Sequence, residues 1–234
     1  MFTLGINAVF HDSSACILQD GKLLAAAEEE RFTHIKHGKR PIPFSAYELP
    51  FHAIDYCLKI AGIHINDVDQ IAYSFNPYKL LAKHAISDEI SLPLKPNQRT
   101  KKDWDSEWDP LFLSLIVNAP GQLADGYPHH LQKRFVGATA SPEKWHFVDH
   151  HIAHAASAFY PSPFERSAVM ILDGRGERAT SSYYIGEKNK MQMIGEVCMP
   201  HSLGLLYEDV TTHLGFLHSS DEYKVMALAS YGKP

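Results

Sequence analysis

Three histidines fall within five positions of the stretch DHHIAHAAS, which runs from Asp149 to Ser157. On an α-helix, positions i and i+4 lie about 40° apart around the axis and roughly 6 Å along it. Two imidazoles at that spacing can converge on one ion, as in helical zinc sites, and His150 and His154 have it. His151 points about 100° away and reads as a supporting or surface residue. The competing explanation is that these histidines cap the helix or pair with Asp149, and with 15 histidines in the chain a chance cluster is a real rival. Asp173 shifts the balance towards a metal. It ends the apolar strand SAVMILDG, where an unpaired carboxylate is costly to bury, and it enters a Gly174-Arg175-Gly176 turn. Two imidazoles and one carboxylate form a mixed-ligand site suited to iron(II) or zinc, with positions left open for a substrate. An aspartate that merely initiates a turn before glycine is the alternative. The zinc-peptidase pattern HExxH is not met, because no glutamate follows the first histidine.

Two polar turns could serve a ligand beside such a centre. Gly174 and Gly176 allow close backbone approach, and their N–H groups could cradle an anion, although DGxG is also an ordinary turn. HDSS at 11–14 offers an imidazole, a carboxylate and two hydroxyls, suited to a phosphate or an acceptor, or simply to an Asx-type turn. Arg175 could pair with a phosphate or be solvated. The run Glu28-Glu29-Glu30-Arg31 reads as a solvated face without a site role.

These residues need elements to hold them. TLGINAV and ACILQ read as strands around the HDSS turn, Asp20-Gly21 as a hairpin turn, and KLLAAAEEERF as a third strand or an early helix. Residues 31–50 read as loop. Phe51, Ile54, Leu58 and Ala61 mark one buried helix face with Gly62 at the C-cap, and QIAYSFNP is a strand. Residues 78–140 read as a largely helical surface insertion with one apolar patch at Leu111–Val117. WHFVD then leads as a strand into the histidine helix, which starts at the N-cap residue Asp149 and stops at Pro161. SAVMILDG reads as a fully buried strand and ATSSYYIG as its return; HSLGLLYEDVTTHLGF and DEYKVMALASYG are helices. The second region thus repeats the strand–turn–strand logic of the first. Two related lobes are expected, 1–165 and 166–234, the second incomplete.

Composition narrows the classes. With 234 residues, 45% of them hydrophobic, the chain can bury a core. Its 22 basic and 27 acidic residues leave a net charge of −5, which offers no footprint for nucleic acid. Three scattered cysteines, Cys16, Cys57 and Cys198, form no disulfide framework, so a cytoplasmic location is expected. The apolar start lacks a basic leader, and no apolar run reaches membrane-spanning length.

Taken together, LGINAVFHDSSACILQDGKLLAAAEEERF, VDHHIAHAASAFYPSPFE, LDGRGERATSS, HSLGLLYEDVTTHLGF and DEYKVMALASYG resemble the O-carbamoyltransferases of the nodulation-protein-U and cephalosporin-biosynthesis type. They occur in the expected order and cover most of the chain outside the insertion. The resemblance implies a two-lobed α/β fold of the actin-like ATPase and sugar-kinase superfamily, with mixed sheets and flanking helices. It also implies that a C-terminal domain makes carbamoyl-adenylate from ATP and carbamoyl phosphate, and that the N-terminal domain passes the carbamoyl group to a small-molecule hydroxyl. By motif, His150, His154 and Asp173 would hold iron(II), with a fourth ligand beyond Pro234. Asp12, Ser13, Ser14, Gly174, Gly176 and Glu177 would line the adenylate phosphate, Glu222 and Lys224 would lie near the nucleoside, and His11 would take the acceptor's proton. Arg175 departs from the family pattern, which has an apolar or small residue there. Two other readings remain in play: a nucleotide- and metal-binding module without turnover, and a small-molecule kinase, which would use Mg²⁺ at carboxylates and not need the histidine pair.

Overall fold

A computed structural model of the chain describes residues 1–38, 49–83, 109–125, 134–218 and 221–233. The expectations for 39–48, 84–108 and 126–133 lie outside the described residues. The chain divides into two compact units, 1–148 and 149–234.

In the first unit, β1 (Phe2–Asn7), β2 (Ser14–Gln19) and β3 (Lys22–Glu28) form an antiparallel meander. The turn between β2 and β3 is Asp20 (φ 51°) and Gly21 (φ 81°), the two positive-φ residues that a tight hairpin favours. A short helix α1 (Glu30–Thr33) and a 3-10 turn at Lys36–Gly38 follow, then α2 (Phe51–Ala61) and β4 (Gln70–Tyr73). After α3 (Pro77–Lys83), α4 (Asp109–Val117) and α5 (Ala119–Asp125), β5 (Trp145–Phe147) completes a sheet of order β3-β2-β1-β4-β5. β4 and β5 run parallel to β1 and to each other, so the sheet is mixed.

α2 buries Phe51, Ile54 and Leu58 against β2 and β3, and Gly62 (φ 67°) closes it with its N–H on the carbonyls of Leu58 and Lys59. Its N-terminus corrects one expectation. Glu29, only 12% exposed, does not lie on a solvated face. Its carboxylate accepts the N–H groups of His52 (3.3 Å) and Ala53 (2.9 Å), two donors that the first helical turn leaves unpaired. The insertion is a second correction, because its apolar patch is not on the surface. Phe112, Leu113, Leu115 and Ile116 of α4 and Leu123 of α5 join Leu4, Ile17 and Ile54 in the core of this unit.

The second unit contains α6 (His150–Phe159), β6 (Arg166–Leu172), β7 (Ala179–Glu187), β8 (Lys190–Cys198), α7 (Leu203–His213) and α8 (Glu222–Ala229). β6, β7 and β8 form an antiparallel meander, the same order of pairing as β1 to β3. α6 was expected to close the first lobe at 165. It packs instead on β6 and β7, which places the division at 148. Ala155 and Phe159 of α6 share a core with Val169, Ile171 and Tyr184. The Phe159 ring lies over Gly186, where an added Cβ would come within 2.7 Å, so this contact sets how α6 is rotated on the sheet. β6 is buried on one side only, with Met170 57% and Leu172 55% exposed, contrary to the fully buried strand expected. None of the described helices is long and apolar enough to cross a membrane.

Candidate functional site

With α6 fixed by Phe159, its first two turns carry His150 and His154 to the end of β6, where Asp173 follows Leu172. The two imidazole Nε2 atoms are 3.0 Å apart. Asp173 Oδ2 lies 3.0 Å from His150 Nε2 and 3.8 Å from His154 Nε2. These three donor atoms leave room for an ion: their triangle has a circumradius of about 1.9 Å, so a point about 2.1 Å from each, an ordinary ion–donor distance, exists. Asp173 Oδ2 is buried and has no hydrogen-bond partner among the described residues, with the His150 imidazole as its nearest charged neighbour. A buried, partnerless carboxylate oxygen facing two imidazoles is what a cation would satisfy. The donor set of two imidazoles and one carboxylate suits iron(II) or zinc. Burial pushes the Asp173 carboxyl up, but the contact with His150 and the neighbouring imidazole charges outweigh it and hold the group at about 2. Asp173 is therefore ionised at neutral pH, as a ligand must be.

His151 is neither exposed nor a member of the donor triangle. It is buried, with Nδ1 2.7 Å from Ser182 Oγ, and its partnerless Nε2 faces Asp173 Oδ2 at 3.8 Å. Burial pushes this imidazole down, towards the neutral form. Gly176 makes room for it, since a Cβ there would stand 3.1 Å from His151 Cδ2 and 3.4 Å from His150 Cβ.

The glycine turn does not offer the expected anion cradle. Gly174 N–H donates to Asp173 Oδ1 (2.6 Å) and Gly176 N–H to the Ala179 carbonyl (2.8 Å), so both donors are engaged inside the turn. Glu177 is buried, and its Oε1 accepts His150 N–H (2.8 Å), capping α6 where Asp149 makes no side-chain cap bond. Two residues that pattern reading did not single out hold the turn from the other side. Ser202 accepts Leu205 N–H as the N-cap of α7 and donates to the Gly174 carbonyl (2.7 Å). Gly204 brings α7 so close that a Cβ would stand 2.5 Å from Gly174 N and 2.6 Å from the Asp173 carbonyl. Because those neighbours are backbone atoms, Gly204→Ala is expected to destabilise the chain by about 1–3 kcal/mol, the usual cost of overpacking. A thermal melt unchanged by this substitution would show that the turn yields freely. Ser and Gly at the start of HSLG were the available signal: an N-cap residue followed by a position free of side chain. Glu222 opens α8, where its carbonyl accepts the Tyr207 hydroxyl, and Lys224 pairs with Asp221 (2.8 Å).

In the first unit, the turn after β1 is built as carefully. Phe10 packs between Phe75 (5.0 Å) and Phe112 of α4 (5.3 Å). Asn7 donates to the carbonyls of His11 and Asp12 (both 3.0 Å) and accepts the Ser74 hydroxyl (2.6 Å). Asp12 then receives two imidazoles, His11 Nδ1 on Oδ2 (2.6 Å) and His37 Nδ1 on Oδ1 (2.9 Å). His11 is 60% exposed. Ser13 is buried, with a hydroxyl that has no hydrogen-bond partner among the described residues, and Ser14 begins β2. Asp12, Glu30 and His37 bring donor atoms within 4.8 Å of one another, but hydrogen bonds among them already account for that approach.

Comparison with known proteins identifies the class. Residues 3–99 and 119–234 match the family described as carbamoyltransferase N-terminus, and the gap contains all of α4. An uncharacterized protein of Synechocystis is 38% identical over 99% of this chain and 35% of its own length. Nodulation protein NolNO of Sinorhizobium fredii is 34% identical over 97% of this chain and 29% of its own length. The chain thus spans about a third of these relatives. Among solved structures, YeaZ from Pseudomonas aeruginosa aligns with a TM-score of 0.37 at 14% identity, over 85% of this chain and 67% of that one. The chain belongs to the carbamoyltransferase N-terminus family.

Proposed function

We propose that this chain is the metal-bearing, carbamoyl-transferring part of an O-carbamoyltransferase, acting on carbamoyl-adenylate and a small-molecule hydroxyl. The observation that carries the proposal is the convergence of His150, His154 and Asp173 around one partnerless carboxylate oxygen, in a chain of this family. These three residues would hold iron(II) or a similar divalent ion, which when bound supplies Lewis acidity to an otherwise poor carbamoyl electrophile. The protein's own groups do the rest. An alcohol oxygen forms the new bond to the carbamoyl carbon, the carbon–oxygen bond to AMP breaks, and the alcohol's proton passes to a base. His11 is the base in this reading. Its Nδ1 is engaged by the Asp12 carboxylate, which leaves Nε2 for the incoming proton.

The adenylate itself is made elsewhere in the complete enzyme, so the 234-residue chain is expected to show no carbamoyl-phosphate-dependent exchange of pyrophosphate into ATP. The complete gene product, given ATP and carbamoyl phosphate, should show that exchange and carbamoylate a hydroxyl compound. Robust exchange by the short chain would misplace the activating site. Transfer of a phosphoryl group from ATP to the acceptor would instead mark a kinase, and nucleotide binding without any product would mark a binding module.

A further inference from the structure

We infer that His37 is a positioning residue, which acts through Asp12 to fix the ring of His11. The inference rests on the reading of His11 as the base and deepens it. Asp12 sits on an exposed turn, 44% open to solvent, where a carboxylate held from one side only would rotate. His11 cannot steady it alone, because the two are neighbours on the same turn and move together. His37 comes from a different segment and is clamped. Its N–H donates to Glu30 Oε2 (2.7 Å), and its carbonyl accepts the Asp12 N–H (2.7 Å). It also keeps a left-handed backbone, φ 58° and ψ 12°, a conformation that persists in a residue other than glycine only where the surroundings hold it. Among the described residues its Nε2 is buried without a hydrogen-bond partner, and its Nδ1 engages Asp12.

The chemistry of the carboxylate then fixes both rings. The hydrogen bond from His11, reinforced by His37 against partial burial, holds the Asp12 carboxyl down at about 2. An ionised carboxylate only accepts, so both imidazoles must donate from Nδ1. His11 is thereby held in the tautomer whose Nε2 carries the lone pair, the form a base needs. The logic is that of a carboxylate orienting a catalytic imidazole, with a second imidazole orienting the carboxylate.

Two substitutions separate this role from a structural one. His37→Asn keeps a donor at the place of Nδ1 and tolerates the left-handed backbone; His37→Gly keeps the backbone and loses the donor. In the 234-residue chain, the ¹⁵N shifts of the His11 ring should report the Nδ1–H tautomer in the wild type and in His37→Asn, and a mixture in His37→Gly. In the complete gene product, His37→Gly should lower kcat for transfer about tenfold with KM for the acceptor unchanged, a share of what a placed base contributes. His37→Asn should restore most of it. A His11 ring that keeps its tautomer in His37→Gly would overturn the inference, as would a folded His37→Asn that behaves like His37→Gly. Normal transfer by His11→Asn would instead remove His11 as base while leaving the tautomer result standing.

Discussion

Asp173→Asn is expected to lower the affinity of the chain for a divalent transition metal by at least about 100-fold, beyond the 10–100-fold typical of losing a residue that only supports a ligand. The substitution keeps the shape of the side chain and its bond to Gly174 N–H, so the turn should survive it. What it removes is the charge on an oxygen that lies within 3.0 Å and 3.8 Å of two imidazole nitrogens. His150 and His154 alone would then bind as an i,i+4 pair, which offers an ion two neutral donors and no compensating charge. His154→Ala should weaken binding comparably, since it takes away the other end of the same triangle. Absorption of Co²⁺ titrated into the metal-free chain reads affinity and donor set together. Equal binding by wild type, Asp173→Asn and His154→Ala would show that the ion sits elsewhere or that none is held.

The pairing of His150 with His154 could be anticipated because it is a property of one helix: the i,i+4 interval fixes direction whatever the helix packs against. Asp173 was visible for a related reason, a carboxylate at the end of an apolar run. What holds these residues was harder to see. Glu177 caps α6 from 27 positions away, and Ser202 ties α7 to the glycine turn from 28 away. No local pattern carries such partnerships. The strand β6 was read as buried on both sides because an uninterrupted apolar run looks the same whether one face or two are covered. β8 escapes pattern reading for another reason: Tyr183 pairs with Gly195 and Tyr184 with Met193, so the extra residue Ile194 interrupts the alternation of β8 itself. In the first unit, the charged flanks of the apolar patch 111–117 point to a surface insertion, whereas the patch joins the core and its Phe112 packs against Phe10, next to His11. His37 lay in a stretch taken for loop, and only its contacts with Asp12 and Glu30 give it a part.

His11→Asn should leave metal binding and adenylate formation intact in the complete gene product while slowing transfer by about 10²-fold or more, the range expected for loss of a placed base. The choice of asparagine follows from the geometry. Its amide nitrogen takes the place of His11 Nδ1, which stands 2.6 Å from Asp12 Oδ2, so the contact that orders the turn is kept. Only the far side of the ring, with Nε2, is lost. The rest of the turn does not depend on the imidazole: Asn7 holds the carbonyls of residues 11 and 12, and Phe10 is locked between Phe75 and Phe112. The loss should therefore appear in kcat for transfer and not in the thermal melt. Exposure of the ring makes the assignment testable in a second way, because a base open to solvent can be bypassed by a small exogenous one. Added imidazole should recover part of the transfer activity of a His11→Gly enzyme. Near-normal transfer by His11→Asn would take His11 out of the reaction, and the acceptor's proton would then have to leave by another group.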